Sequence, residues 1–260
     1  MKTYLVKSIR LASAVLLGAL ASHAAGAADA SQGGPQSLII TYHTTPANRA
    51  AFHKELEKAG AKQFQHWKDE HVLADYQILF NRFADSDNPD AVALLKFANE
   101  AEAARWKKVE QAHPAGLTNK ALALVTAVHT APADLVRSDR SAESTKHSVF
   151  MVIPYETMVS AGEYLKYADG YTIPQFEGWM HEGVLSHYDV FVNRYAAGRP
   201  WSTMIVLEYK DDAALGKREE VVAKVRARLK DSPDWKAISD SKKNVRNEKQ
   251  LVVADPIVVR

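Results

Sequence analysis

The 260-residue sequence contains no cysteine, which excludes a small domain held by disulfides and a lipid anchor attached at a cysteine. It has almost no net charge, since 33 Lys and Arg residues oppose 31 Asp and Glu residues. A nucleic-acid-binding or acidic-membrane surface is therefore not expected. No apolar run reaches the ~20 residues that a membrane-spanning helix requires. The hydrophobic fraction of 47% is ordinary for a folded protein. The length of 260 residues allows one large folded domain or two small ones.

Several functional motifs are also absent. The sequence has no G-x-G-x-x-G, no Walker loop and no G-x-S-x-G, so nucleotide cofactors and serine-hydrolase chemistry are not expected. Ten histidines are present, but His181 and His187 lie too far apart in sequence to match the H-E-x-x-H metal motif. We therefore predict no metal site and no cofactor. Haem is the alternative left open, because a single axial histidine needs no spacing pattern.

The start of the chain has the composition of a secretory signal peptide. Three basic residues precede an apolar run over residues 11–21, and small residues surround Ala27. We predict a signal peptide over 1–27, a loose leader over 28–36, and a periplasmic or secreted mature protein with no membrane span. Removing the signal peptide leaves a mature chain that is nearly neutral.

Two segments of the chain match each other in a constant register. The pattern Q-F-x-x-W at 63–67 recurs at 175–179, and the alignment continues without a gap from Leu38 and Phe150 onward. A shared register over this length predicts a tandem duplication. The predicted boundaries are 37–137 for the first repeat, 138–146 for a polar linker and 147–260 for the second repeat.

Each repeat is predicted to contain strand, helix, strand, strand, helix and strand. In the first repeat, β-branched residues predict a strand over 37–43, and the run from His71 to Phe83 predicts the second strand. This order is that of the ferredoxin-like unit, an α+β fold with both helices on one face of a four-stranded sheet. Two such units can cover each other's bare faces. We therefore predict an intrachain dimeric α/β barrel with a ligand cavity between its sheets.

The second repeat carries the pattern G-W-x-x-E-G-x-L over 178–185, followed by Asn193-Arg194-Tyr195. This pattern resembles the dimeric α/β-barrel superfamily and, within it, the NIPSNAP-like group. The first repeat departs from it, with His71 in the place of Gly183. The resemblance implies the fold. The superfamily includes cofactor-free monooxygenases, haem-degrading and haem-dependent enzymes, isomerases and binding proteins, so the resemblance implies no single chemistry.

Alternation along the second strand of each repeat predicts which side chains face the cavity. One face is almost entirely apolar and should lie under the helices, whereas the other mixes polar and aromatic groups. The alternative is that the polar face is exposed to solvent. We predict catalytic roles for His187, as the base, and for Asp189. The predicted ligand-binding residues from this face are Asp75, Gln77, Asn81 and Asn193.

An Asn-Arg pair ends this strand in both repeats. Arg82 and Arg194, with Tyr195 beside the second, are predicted to bind an anionic group of the ligand, because guanidinium suits carboxylates and phosphates. The alternative for both arginines is a structural ion pair.

Three functions are compatible with this sequence. The first is an exported protein that binds a small, mostly apolar molecule between its sheets. The second is a cofactor-free monooxygenase or isomerase that acts on that molecule. The third is an envelope scaffold that binds another protein. In each case we expect a monomer or homodimer and no nucleic-acid partner.

Overall fold

The computed structural model describes residues 36–259. The predicted signal peptide, and the leader up to residue 35, lie outside the described residues. Elements of the first half are β1 (Gln36–Thr44), α1 (Arg49–Glu55), α2 (Ala61–Asp69), β2 (Asp75–Asn81), β3 (Ala91–Lys96), α3 (Glu100–Ala112), α4 (Asn119–Leu122) and β4 (Val125–Arg140). Those of the second half are β5 (Val149–Thr157), α5 (Ala161–Tyr167), α6 (Ile173–His181), β6 (Leu185–Asn193), β7 (Thr203–Tyr209), α7 (Asp212–Gly216), α8 (Arg218–Leu229), α9 (Pro233–Ser241), β8 (Arg246–Glu248) and β9 (Val252–Pro256).

Eight strands close into an antiparallel barrel. Their order is β7-β6-β4-β1-β3-β2-β9-β5, and β5 pairs back onto β7 to close the ring. The short β8 adds to the end of β5 outside this ring. The pairs β4–β6 and β2–β9 join the two halves of the chain. The predicted α+β barrel, formed within one chain, is thus confirmed at the level of its architecture.

Three apolar cores lie on the two sides of the barrel wall. One packs the first-half helices on the outer face of their strands, and a second does the same in the second half. As alternation predicts, Ile78 and Val190 contribute to these outer cores. The third core fills the middle of the lumen, where Leu79 and Phe191 are fully buried. The barrel is therefore packed with apolar side chains through its middle.

The two halves share their local geometry in detail. Helices α5 and α6 begin at the positions that the sequence register aligns with the starts of α1 and α2, and a π-helical turn joins each pair, at 56–60 and at 168–172. An aromatic pair then packs on each sheet, Phe64 with Trp67 at 5.2 Å between ring centroids and Phe176 with Trp179 at 5.1 Å. The repeated residues therefore fill equivalent positions in the core.

The first strand does not follow the register of the helices. β5 begins one position later than that register requires. Ile39 pairs with Leu94 in the first half, and Val152 pairs with Val206 at the equivalent place in the second half. Because a slip of one residue reverses the facing of every side chain, the gap-free alignment from Leu38 is wrong within this strand. The first half has one more residue between its first strand and its first helix.

Two predicted boundaries also differ from the structure. β4 continues to Arg140 and pairs with β6, so residues 138–140 belong to a strand and not to the linker. β2 begins at Asp75, because His71 adopts the left-handed conformation (φ 55°) that Gly183 adopts in the second half (φ 78°). Such a residue ends α2 before the strand can begin.

Candidate functional site

A cavity of about 490 Å³ opens at one end of the barrel. This volume lies within the range of small-molecule sites, ~300–1,000 Å³. Side chains from both halves form its buried apolar floor, which consists of Val92, Ala131, Val152, Trp201, Met204 and Val252. The floor belongs to the lumen core described above. An apolar ligand that enters this end of the barrel would therefore lose its water shell against preformed walls.

The rim of the cavity is polar and carries two histidines and two cations. His43 and His129 meet edge to face with ring centroids 5.6 Å apart. Burial and the neighbouring His129 lower the pKa of His43 despite the opposing charge of Asp90, which keeps its imidazole neutral at pH 7. Lys249 binds Glu156 at 2.5 Å. Arg199 has no carboxylate partner among the described residues, so its charge is available to a ligand.

The opposite end of the lumen is closed by a cluster of charged side chains. His187, Asp189 and Glu208 come from the second half and are almost fully buried, and Lys96 and Arg140 come from the first half. His187 Nε2 lies 3.0 Å from Asp189 Oδ1, and Lys96 Nζ lies 2.8 Å from Asp189 Oδ2. Free space at this cluster is about 20 Å³, which is enough for about one water molecule.

Electrostatics in this cluster stabilise the charged forms of its members. For Asp189, burial is outweighed by His187 and Lys96, and its pKa falls to about 2. Glu208 is held below its usual pKa in the same way, against its burial, by His187 and nearby serines. Burial and Arg140 lower the pKa of His187, but hydrogen bonds with the two carboxylates outweigh them and the net direction is upward.

Protonation of His187 is coupled to the position of Arg140. Arg140 Nη2 lies 2.7 Å from His187 Nδ1, and a guanidinium can only donate, so in this geometry Nδ1 accepts and the imidazole is neutral. Protonated Nδ1 would instead donate to Glu208 Oε2, which is 3.5 Å away. Since both ring nitrogens already have partners and there is no room for a substrate, the cluster has the properties of a structural link between the halves.

The predicted ligand-binding residues are spread over both ends of the barrel. Asp75 is exposed and binds Lys68 at 2.7 Å, while Gln77 lies beside the His187 cluster. Asn81 and Asn193 have matching structural roles. Asn81 donates to the carbonyl of Pro89 and accepts from the amide of Phe83, and Asn193 does the same with Trp201 and Tyr195. Of these four predicted residues, Asn193 lines the large cavity.

Arg82 and Arg194, which are predicted to bind an anionic group of the ligand, both have carboxylate partners in the structure. Arg82 forms a bidentate pair with Asp255 and also contacts Asp212. Arg194 binds Asp134 at 2.5 Å. These carboxylates occupy both guanidinium groups, so the structural ion pairs that the sequence left as an alternative account for them. Tyr195 is 67% exposed and is not among the residues that line the cavity.

Sequence reasoning missed the residues at the mouth of the cavity. No pattern in the sequence selected His43 or His129, and the loop residues Arg199 and Trp201 carried no signal. Alternation along β1 and β4 would have identified the two histidines, because His43 follows Thr41 on the inward face and His129 precedes Ala131. The loop residues depend on how the β6–β7 turn folds over the barrel end, which no local pattern specifies.

Solved structures with the same fold exist at low sequence identity. A protein from Lactobacillus acidophilus NCFM described as a "putative monooxygenase" is 11% identical, with a TM-score of 0.55 over 87% of this chain and 95% of that one. An anthrone oxidase-like protein is 13% identical, with a TM-score of 0.52 over 89% of this chain and 93% of that one. These similarities show the dimeric α/β-barrel fold. No protein-family model and no curated protein matches the sequence.

The prediction that the protein uses no cofactor is withdrawn, because the comparisons do not support it. Solved structures that resemble this chain include a chlorite dismutase from Candidatus Nitrospira defluvii and a haem-binding protein from Thermus thermophilus, at 7% and 11% identity. His187 does not fit as a haem ligand, because both of its nitrogens are engaged and its surroundings are full. His43 and His129 fit better, since they face the cavity, and Arg199 would suit a propionate. When bound, haem would supply redox chemistry at its iron.

None of the helices described within residues 36–259 is long and apolar enough to cross a membrane.

Proposed function

We propose that this protein binds a small, mostly apolar molecule with one polar or anionic group in the open end of its barrel. The observation that carries the proposal is the cavity of about 490 Å³, with its buried apolar floor and a rim that holds His43, His129 and the unpaired Arg199. Apolar walls with a few placed polar groups are typical of small-molecule sites. The His187 cluster offers no comparable space.

The experiment combines a search for a bound ligand with a probe for the site. Native mass spectrometry of the purified protein should reveal an added small-molecule mass on a monomer, since one chain closes its own barrel. In parallel, the fluorescent anion anilinonaphthalene sulfonate should bind with an apolar ring system on the floor and its sulfonate near Arg199. A clean chain with no probe binding would contradict the proposal and favour the scaffold function.

Two variants locate the probe. Met204→Trp fills the floor of the cavity, and Arg199→Gln removes the unpaired cation at the exposed rim, where folding is not at risk. Each is expected to weaken probe binding by about tenfold or more. Met158→Trp is the matched control, because Met158 is 60% exposed and does not line the cavity. Equal affinity in all three variants would place the probe elsewhere and refute this site.

A second candidate function is oxidation of the bound molecule. Two observations favour it: the neutral imidazole of His43 in the cavity is suited to removing a proton, and neighbours in fold are described as monooxygenase or anthrone oxidase-like. Oxygen uptake with anthrone as the probe tests it. His43→Gln should abolish uptake and leave ligand binding in place. Loss of uptake in His187→Gln alone would instead support the base predicted from the sequence.

The architecture is proposed to have arisen by tandem duplication of a ferredoxin-like unit. Support comes from the strand orders β4-β1-β3-β2 and β9-β5-β7-β6, which are the same order in each half, and from helices and π-helical turns that recur at aligned positions of the second half. The NIPSNAP-like grouping is part of this proposal and rests on the Glu182-Gly183 and Arg194-Tyr195 patterns.

Export is the remaining part of the proposal. The composition of residues 1–27 supports cleavage near Ala27 and a periplasmic or secreted mature protein. An intact mass that begins near Ala28, measured on protein from a periplasmic fraction, would support export. A full-length mass in the cytoplasmic fraction would contradict it.

A further inference from the structure

The second half of the chain carries a basic pocket on the outside of the barrel. It has a volume of about 230 Å³ and lies between β5, α8 and the segment that joins α9 to β8. Four cationic side chains line it, from Arg226, Lys242, Lys243 and Arg246, against the single carboxylate of Glu248. This pocket is separate from the barrel cavity, which lies on the inner face of the same strands.

None of the four cations has a carboxylate within ion-pair distance among residues 36–259. Neighbouring cations on the same helices do, because Lys224 and Arg228 both bind Glu182, and Lys236 binds Asp240. The four pocket cations therefore lie together without the carboxylate partners that several of their neighbours have. Four positive charges close together repel one another, and an anion bound between them would relieve that repulsion.

Two of the cations are held in place by buried neighbours. Arg226 donates from Nε to Gln175 Oε1 at 2.7 Å, and the buried Gln175 is itself fixed by the carbonyl of Tyr171 at 2.9 Å. The guanidinium of Arg246 lies 3.9 Å over the ring of Tyr155, and its Nη1 is buried without a hydrogen-bond partner. The hydroxyl groups of Tyr155, Tyr164 and Tyr167 favour the charged form of Arg246. The pocket therefore has a fixed positive charge at this position, and guanidinium groups pair well with anionic oxygens.

The equivalent place in the first half provides an internal comparison, because its surroundings differ. Tyr42 holds the position of Tyr155, since it pairs with Ala91 as Tyr155 pairs with Thr203. There the tyrosine hydroxyl donates to the carbonyl of Ala115 at 2.7 Å, in a region closed by buried apolar residues. In the second half, three of the four cations belong to the segment between α9 and β9, which has no counterpart in the first half. The basic character is thus a property of this added segment.

We propose that this pocket binds a phosphate group, either as free phosphate or as a small phosphate monoester. A phosphate presents several oxygens with up to two negative charges, which matches a site with two guanidinium and two ammonium groups around one opening. A single carboxylate would leave most of these donors unpaired.

Isothermal titration calorimetry of the full-length protein in low-salt chloride buffer tests this assignment, with inorganic phosphate and glycerol 3-phosphate as probes. The variant Lys242→Gln/Lys243→Gln should bind phosphate about tenfold more weakly or worse. The matched control Lys107→Gln/Lys108→Gln has the same change in charge at two adjacent, exposed lysines outside the pocket and should stay within about twofold of wild type.

Each outcome has a defined meaning. Equal affinity for both probes supports a site for the phosphate group alone, and tighter binding of glycerol 3-phosphate supports a monoester ligand. No heat of binding with wild type at millimolar phosphate would overturn the proposal, as would equal weakening in both double variants. Loss of binding in Arg199→Gln would also overturn it, because the anion would then occupy the mouth of the barrel.

Discussion

Replacing Asp189 by asparagine tests whether the His187 cluster links the two halves of the chain. Asp189 Oδ1 accepts hydrogen bonds from His187 Nε2 at 3.0 Å and from Ser138 Oγ at 2.7 Å, and Oδ2 accepts from Lys96 Nζ at 2.8 Å. Asparagine has one carbonyl oxygen, so its amide group must face either the Lys96 ammonium or the donors on the other side. In both orientations, a donor that contacts Asp189 in the wild type loses its acceptor.

The magnitude follows from the ionisation of Asp189. Each pKa unit is worth about 1.4 kcal/mol, so a pKa of about 2, against the usual 3.8, contributes about 2.5 kcal/mol to the free energy of unfolding at pH 7. Breaking a fully buried pair costs ~3–5 kcal/mol, which is an upper limit here because the Lys96 side chain is 22% exposed and can recover water. We expect Asp189→Asn to lose about 2–3 kcal/mol, or about 4–12 °C in Tm.

The assay is urea denaturation at pH 7 of wild type, Asp189→Asn, Lys96→Met and the double variant, which gives the coupling between the two residues. Asp75→Asn is the control, because Asp75 pairs with Lys68 on the surface and should cost less than about 1 kcal/mol.

The dependence on pH provides the refutation. Because the folded pKa of Asp189 is depressed, its stabilising effect is present above pH 3.8 and is lost as the pH falls toward 2. The difference between wild type and Asp189→Asn should therefore shrink over that range. A difference that stays constant there, or a loss below about 0.5 kcal/mol at pH 7, would refute the reasoning.

Three further predictions follow from other contacts. The raised pKa of His187 gives stability that is present below about pH 6.5 and is lost as the pH rises through its folded pKa, so Tm measured from pH 6 to 9 should fall less in His187→Gln than in wild type. Gly178→Ala places a Cβ 2.5 Å from Val225 and should cost about 1–3 kcal/mol in urea denaturation, whereas Gly216→Ala meets nothing within 4 Å and should be neutral or stabilising. Any haem absorption band that appears on titration with haem should be lost in His43→Ala and retained in His187→Ala.

The fold was accessible from the sequence because its signals are local and repeated. The spacing of Phe64 with Trp67 recurs in Phe176 with Trp179 and indicated the repeat, and alternation identified the inward face that carries His187 and Asp189. Alternation does not predict where along the barrel axis an inward-facing side chain lies. Lys96 and Arg140 come from strands that are distant in sequence from β6 and β7. Only closure of the barrel brings them into ion pairs with Asp189 and Glu208, and these ion pairs occupy polar groups that the sequence suggested as a site.

The open end was less predictable for a related reason. Its floor consists of ordinary apolar residues such as Val92 and Met204, which read as core, and its rim depends on loops. A cavity is a region that the side chains fail to fill, and its presence depends on the sizes of residues from several strands at once. No single segment of the sequence contains that information. The predicted catalytic residues therefore lie on the inward face of the sheet, as expected, but at the end of the barrel opposite the large cavity.

A single chain can build these two unlike ends because its halves are free to differ. Lys96 and Glu208 occupy equivalent points of β3 and β7, opposite Ser37 and Phe150, yet they carry opposite charges. In a symmetric homodimer both positions would hold the same residue, and like charges would face each other across the lumen. Because the charges are complementary, Lys96 pairs with Asp189 and Arg140 pairs with Glu208, and these ion pairs close one end of the barrel. The other end then remains open, and its asymmetric rim, with His43 and His129 from one half and Arg199 from the other, is available to orient a bound molecule.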